Sequence, residues 1–208
     1  VTEIEVFTDT TKAVIDNLEK KGYVEIAEKQ IERNPFIHKV TTKSSKKELT
    51  VEQQNAYDKI NDAMKEQLFS EFLIYGVTGS GKTEIYLQLI ENCLKNDKSS
   101  IMLVPEISLT PQTVDRFIAR FGEDKIAVLH SKLSQGERFD QWKNIKSGKA
   151  KIVIGARSAI FAPVENLGVI IIDEEHDSSY KSDMAPRYKA QDIAKYLAKE
   201  NDIPLVLR

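Results

Sequence analysis

The sequence predicts an open α/β fold, a parallel sheet covered by helices on both faces. Three observations carry this. The runs FLIY (72–75), IMLV (101–104), IAVL (126–129), KIVI (151–154), VIII (169–172) and PLVL (204–207) are apolar without alternation, as expected of strands buried on both faces. Amphipathic helical patterns lie between several of them, and strand–helix alternation builds a parallel sheet. The stretch GVTGSGKT, residues 76–83, follows the first run and opens a helical pattern. That is the context in which a glycine-rich loop binds phosphate in such a sheet.

The elements follow in order. In residues 1–36, DTTKAVIDNLEKKG places Val14, Ile15 and Leu18 on one helical stripe. Asp9 or Thr10 can cap its start, and Gly22 stands where a helix stop favours glycine. YVEIAEKQIER then alternates like a strand. A helix running into a strand in this way fits the tail of a winged-helix domain, and equally any small helix–strand unit. Residues 37–48 contain HKVTTKSSKKE, rich in Lys, Ser and Thr. They read as a linker, a solvated tether whose lysines also offer charge to phosphate. From residue 49 to 208 the α/β pattern is continuous. Pro111 and Gly122 bracket one helix, a proline start and a glycine stop. Ser134 and Glu137 have capping-box spacing, as do Thr50 and Gln53.

Composition narrows the function. Of 208 residues, 41% are hydrophobic and 30% charged, with net charge −2, values ordinary for a globular chain. No uniform basic field marks a general nucleic-acid binder, although a local basic groove is compatible with this balance. The single cysteine, Cys93, excludes an internal disulfide framework and a cysteine zinc site, and it fits a reducing, cytoplasmic setting. No apolar run nears the ~18 residues of a membrane span, and no signal peptide is visible. Starting at Val1 and ending in IPLVLR, the sequence reads as a fragment.

Two motifs carry chemistry. In GVTGSGKT, Gly76, Gly79 and Gly81 let the backbone curl so that N–H groups, with those of Thr78 and Ser80, point at phosphate oxygens. The following helix N-terminus adds a partial positive charge. Lys82 supplies a full charge for the β- and γ-phosphates, and Thr83 a hydroxyl for Mg²⁺. In VIIIDEEHDSS, residues 169–179, crowded acids demand a positive partner. Asp173 closes a strand and suits the metal. Glu174 suits the attacking water. His176 senses the γ-phosphate, links the site to a second surface, or is a polar loop residue. Together these predict a site that hydrolyses a nucleoside triphosphate.

GVTGSGKTEIYLQ, LVPEISLTPQ, VLHSKLSQGER, IVIGARSAIFAPVENLGVIIIDEEHDSSYK and PRYKAQDIA resemble, in order and spacing, the primosomal replication-restart helicases of superfamily 2. The resemblance covers essentially the whole chain. It implies a RecA-like P-loop lobe, the first of two motor lobes, preceded by the tail of a winged-helix DNA-binding domain. It implies Lys82, Asp173 and Glu174 as catalytic residues, Thr83 and Asp173 as metal ligands, and His176 as a coupling residue. Gln53 falls where such helicases place a glutamine that reads adenine, a role its capping spacing rivals. GARSAIF is similar to a motif facing single-stranded DNA, so Arg157 and Ser158 would meet its backbone. Tyr180 and Tyr188 lie in the counterpart of an aromatic-rich loop thought to relay DNA contact to the ATP site. They would stack on bases or pack on the lobe. Gln191 stands where the family pattern has Arg.

The resemblance further implies ATP and Mg²⁺ as cofactors, with zinc only in parts of the family's full-length proteins outside this stretch. It implies a monomeric, cytoplasmic, nucleoid-associated 3′–5′ helicase with no membrane partner. Its partners would be forked and single-stranded DNA, primosome-loading proteins and single-stranded-DNA-binding protein. Lacking a second lobe and its arginine finger, the stretch is expected to hydrolyse ATP slowly at most. Two rivals remain: another superfamily 2 translocase, RecG-like or restriction-type, and a nucleotide-gated binding module that docks DNA or a partner without unwinding.

Overall fold

The computed structural model describes residues 4, 7–26, 43–77 and 79–208. The chain forms two compact units, Val1–Glu32 and Arg33–Arg208. In the first, helix α1 spans Lys12–Lys20 and buries Ile15. Its N-cap is Thr11, not Asp9 or Thr10, and the Thr11 side chain makes no capping bond. Gly22 follows with φ +74°, a conformation glycine adopts without cost. Residues 23–26 are not in a strand, and the remainder of the strand expected there lies outside the described residues.

The second unit holds helix α2 (Val51–Glu66), strand β1 (Glu71–Leu73), α3 (Lys82–Lys95), β2 (Ser99–Leu103), α4 (Pro111–Phe121) and β3 (Ile126–Leu129). α5 (Gln135–Lys146), β4 (Ile152–Gly155), β5 (Leu167–Ile172), α6 (Ala190–Glu200) and β6 (Leu205–Leu207) complete it. The strands form one parallel sheet in the order β1-β6-β5-β2-β4-β3. Each apolar run of the sequence is a strand within a residue or two of its expected bounds.

Burial on both faces is visible in the alternation. Met102, Ile152, Ile154, Val169 and Ile171 face a core shared with Ile60 of α2, Ile90 of α3 and Phe117 of α4. Ile101, Leu103, Val153, Ile170 and Ile172 face a second core with Ile145 of α5 and Ala190, Ala194 and Ala198 of α6. Successive side chains on a strand point to opposite faces, so two apolar sets per strand require helices on both sides. Each such side chain, when fully buried, contributes about 1.5–3 kcal/mol.

The capping boxes form as spaced: Thr50 with Gln53 on α2 and Ser134 with Glu137 on α5. Pro111 and Gly122 bracket α4 as expected. Residues 43–48 are exposed and outside any helix or strand, but their backbone is docked. Ser44 N–H donates to the Ala119 carbonyl at 2.9 Å. Lys47 N–H donates to Glu84 Oε1 at 3.1 Å, and Lys47 C=O accepts from Gln88 Nε2 at 2.9 Å. A Lys/Ser-rich stretch can dock through its backbone, which composition does not register.

Candidate nucleotide site

Because all six strands run the same way, the loop after β1 and the acids after β5 rise at one edge, separated only by β6. That edge, at the carboxyl ends of the strands, is where open α/β sheets place ligands. In the loop, Gly79 and Gly81 have φ +83° and +81°, and Gly81 is the N-cap of α3. A Cβ at Gly81 would stand 2.5 Å from Gln53 Nε2 and displace that amide, and the positive φ itself favours glycine. Thr78 lies outside the described residues.

Lys82 is the first residue of α3 and is buried. Its ammonium donates to the carbonyls of Gly76 at 2.7 Å and Val77 at 2.6 Å, and to Ser80 Oγ at 3.1 Å. Burial holds its pKa below the usual lysine value. The Arg208 charge adds to this, and Asp173 opposes it. Gln53 has both ends of its amide engaged. Its Oε1 accepts from Thr50 N–H at 2.9 Å, and its Nε2 donates to the Ser80 carbonyl at 2.7 Å. It therefore caps α2 and braces the loop at once, with its amide spent on backbone.

Asp173 follows β5 directly, and its N–H donates to the Leu103 carbonyl at 2.9 Å. The positive group the acids demanded is Arg208. Its Nη1 lies 2.9 and 3.1 Å from the two Asp173 carboxylate oxygens and 3.8 Å from Glu174 Oε1. The buried Tyr86 hydroxyl of α3 is 3.5 Å from Asp173 Oδ1. Burial, then the Asp173 charge, drives that phenol far above its ordinary range, so it stays a donor. Glu174 has φ +50°, a left-handed conformation uncommon for a residue with a side chain. It re-aims the chain after the acid.

The donor set suits a magnesium nucleotide. Gly81 and Lys82 stand at the N-terminus of α3, Thr83 is half-buried one residue on, and Asp173 supplies the acid. The comparisons with known proteins follow the same lines. Residues 46–205 match the family described as Type III restriction enzyme, res subunit. The chain belongs to this family. It is 50% identical over 200 residues to the Replication restart protein PriA of Bacillus subtilis, a match covering 96% of this chain and 25% of that protein. With PriA of Synechocystis the identity is 47%, over 94% of this chain and 23% of the relative. The chain thus spans about a quarter of the length of these relatives. The UvsW helicase of bacteriophage T4 superposes with a TM-score of 0.53 at 17% identity, over 94% of this chain and 68% of that one. The Hef helicase domain of Pyrococcus furiosus gives 0.51 at 24% identity, over 76% and 32%. These likenesses show the fold, a RecA-like α/β lobe.

Further along the edge of this res-family lobe stand the residues expected to face DNA. Arg157 and Ser158 open the 3-10 turn after β4, and Ser158 is exposed. Arg157 Nη1 donates to the carbonyls of Ser179, at 3.2 Å, and Lys181. Its guanidinium lies 5.7 Å from the Tyr188 ring centroid. It therefore clasps the chain after the acids instead of projecting into solvent. Tyr188 is half-buried and meets Phe161 edge-on at 5.0 Å.

Tyr180 corrects the stacking expectation. It is fully buried, and its hydroxyl donates to the Asp173 carbonyl at 2.6 Å, so it has no ring face to offer a base. His176 is exposed in the turn beyond the acids. Asp177 caps the next turn through Ser179, and those hydrogen bonds, with His176 adding to them, lower its pKa. Sequence reasoning missed Tyr86, whose α3 position reads as an ordinary apolar one. The available signal for Tyr86 was its i+4 spacing from Lys82. Gln191, marked in the sequence only as a departure from the family's Arg, donates from Nε2 to the Glu175 carbonyl at 2.7 Å and ties α6 to the acid turn.

Proposed function

We propose that this chain is the ATP-binding first motor lobe of a DNA helicase that acts in replication restart. The observation that carries the reading is the convergence at one sheet edge of Lys82 with its loop and of Asp173. The PriA relatives support the biological setting.

In this reading Lys82 and the loop N–H groups of Gly76–Gly81 hold the β- and γ-phosphates. Thr83 and Asp173 hold Mg²⁺, which when bound neutralises charge on the transferred phosphoryl group. Glu174 orients and takes a proton from the attacking water. Gln53 caps α2 and fixes the loop, and contact with adenine would require its amide to leave the Thr50 and Ser80 backbone groups. Ser158, Arg157 and Tyr188 line the DNA side, and His176 and the clasped 178–189 segment connect the two. The intact protein would move 3′ to 5′ on forked and single-stranded DNA and work with primosome-loading proteins and single-stranded-DNA-binding protein.

The test compares this chain with its Lys82→Ala variant, measuring binding of a fluorescent non-hydrolysable ATP analogue with Mg²⁺. The chain is expected to bind weakly, the variant to lose binding, and hydrolysis by the chain alone to be slow. Equal binding by both forms would sink the phosphate assignment. DNA-stimulated turnover by this chain at full helicase rates would sink its assignment as one lobe of two.

A further inference from the structure

One carboxylate next to the phosphate loop has a role the site does not yet explain. Glu84 lies in the first turn of α3, one residue after Thr83. Its Oε1 accepts three donors: Lys47 N–H at 3.1 Å, Gln88 Nε2 at 3.0 Å and Arg120 Nη2 at 3.2 Å. The same Arg120 nitrogen lies 3.2 Å from Glu91 Oε2, and the Arg120 side chain is only 5% exposed. Gln88, also buried, donates to the Lys47 carbonyl. Glu84 and Gln88, one turn apart on α3, thus bracket the peptide of Lys47 while Arg120 secures them from α4.

Two physical consequences follow. Residues 43–48 are seated on the helix whose N-terminus forms the phosphate site. In addition, a carboxylate in that first turn competes with phosphate for the positive end of the helix, and Arg120 offsets it. We propose that Glu84 and Arg120 are positioning residues. They seat the 43–48 strap on α3 and neutralise the carboxylate beside the loop, so strap seating and nucleotide binding are coupled. The proposal rests on the nucleotide reading above. By linkage the coupling is reciprocal: whatever the strap contributes to nucleotide affinity, nucleotide returns to strap seating.

The experiment has two arms on the 208-residue chain. In the first, trypsin cleavage after Lys46 and Lys47 is timed with and without the fluorescent ATP analogue and Mg²⁺. Cleavage is expected to slow about fivefold or more. In the second, analogue affinity is measured for Arg120→Gln, Arg120→Lys and the double variant Glu84→Gln/Arg120→Gln. Arg120→Gln should weaken binding about fivefold or more. Arg120→Lys should restore most of it. The double variant should recover affinity because the charge that Arg120 offsets is gone, a rescue that a purely structural role would not give. Analogue binding with unchanged strap cleavage overturns the proposal, and so does a folded double variant no better than Arg120→Gln. If the unsubstituted chain binds no analogue, the nucleotide reading fails and takes the proposal with it. The first arm needs no variant, so poor folding of Arg120→Gln leaves the proposal exposed to refutation.

Discussion

Replacing Tyr180 separates packing from base stacking. Its side chain is fully buried among Ile172, Ala190 and their neighbours, with the hydroxyl on the Asp173 carbonyl. Tyr180→Ala removes the ring and leaves a cavity, a change costing about 3–5 kcal/mol. Tyr180→Phe removes only the hydroxyl and costs about 1–2 kcal/mol, since the Asp173 carbonyl loses that donor. At roughly 2–4 °C per kcal/mol for a domain of this size, the alanine variant melts on the order of 10 °C lower and the phenylalanine variant a few degrees lower. Burial, with Asp173 second, holds the phenol far above its usual range, so the Tyr–Phe difference should be flat across neutral and mildly alkaline pH. Urea unfolding followed by circular dichroism measures the costs, and fluorescence anisotropy of a labelled oligonucleotide measures DNA affinity. An alanine variant that loses DNA affinity yet less than about 1 kcal/mol of stability would refute the reasoning.

Other consequences are equally direct. Burial pushes the Cys93 thiol up to about 12, so alkylation at pH 8 should proceed only at the rate of unfolding; rapid labelling of the native chain would contradict this. A Cβ at Gly155 would run into the Leu129 carbonyl oxygen and stand 2.6 Å from Ala159 Cβ. Gly155→Ala should therefore cost about 1–3 kcal/mol in urea unfolding. Arg157→Lys keeps the charge and loses the planar fork, so trypsin should cut faster after Lys181 and Arg187. Unchanged cleavage would contradict the clasp.

The sheet was legible because its strands are buried on both faces, and unbroken β-branched runs such as VIII have few other uses. The phosphate loop was legible because its glycines and Lys82 act through backbone geometry tied to fixed spacing. What escaped was set by partners distant in sequence. Tyr180 and Tyr188 share a loop and a residue type, yet one is sealed under the acids and the other lies half-open beneath Arg157. Nothing local distinguishes them. Arg157 reads as a free cation until the carbonyls of Ser179 and Lys181 are placed beside it. The strap 43–48 reads as solvated because its side chains are, while its backbone is held by Glu84, Gln88 and Ala119.

The two arginine–carboxylate groups around α3 differ in a way that bears on function. Arg120 is held between Glu84 and Glu91 with 5% of its side chain exposed. Removing it would strand the Glu84 carboxylate, whose side chain is 12% exposed, a costly change. Arg208 and Asp173 are more open than Arg120 and Glu84, at 22% and 16% against 5% and 12%, and one nitrogen serves both oxygens in place of the parallel fork that makes such pairs strong. A divalent ion carries twice the charge of one guanidinium and attracts a carboxylate more strongly at the same distance. The Asp173 pair is therefore the exchangeable one, and the Glu84 pair the fixed one. On the proposed magnesium role, Asp173 would exchange Arg208 for the ion at the strand end, while Arg120 stays fixed between Glu84 and Glu91 on the helix side.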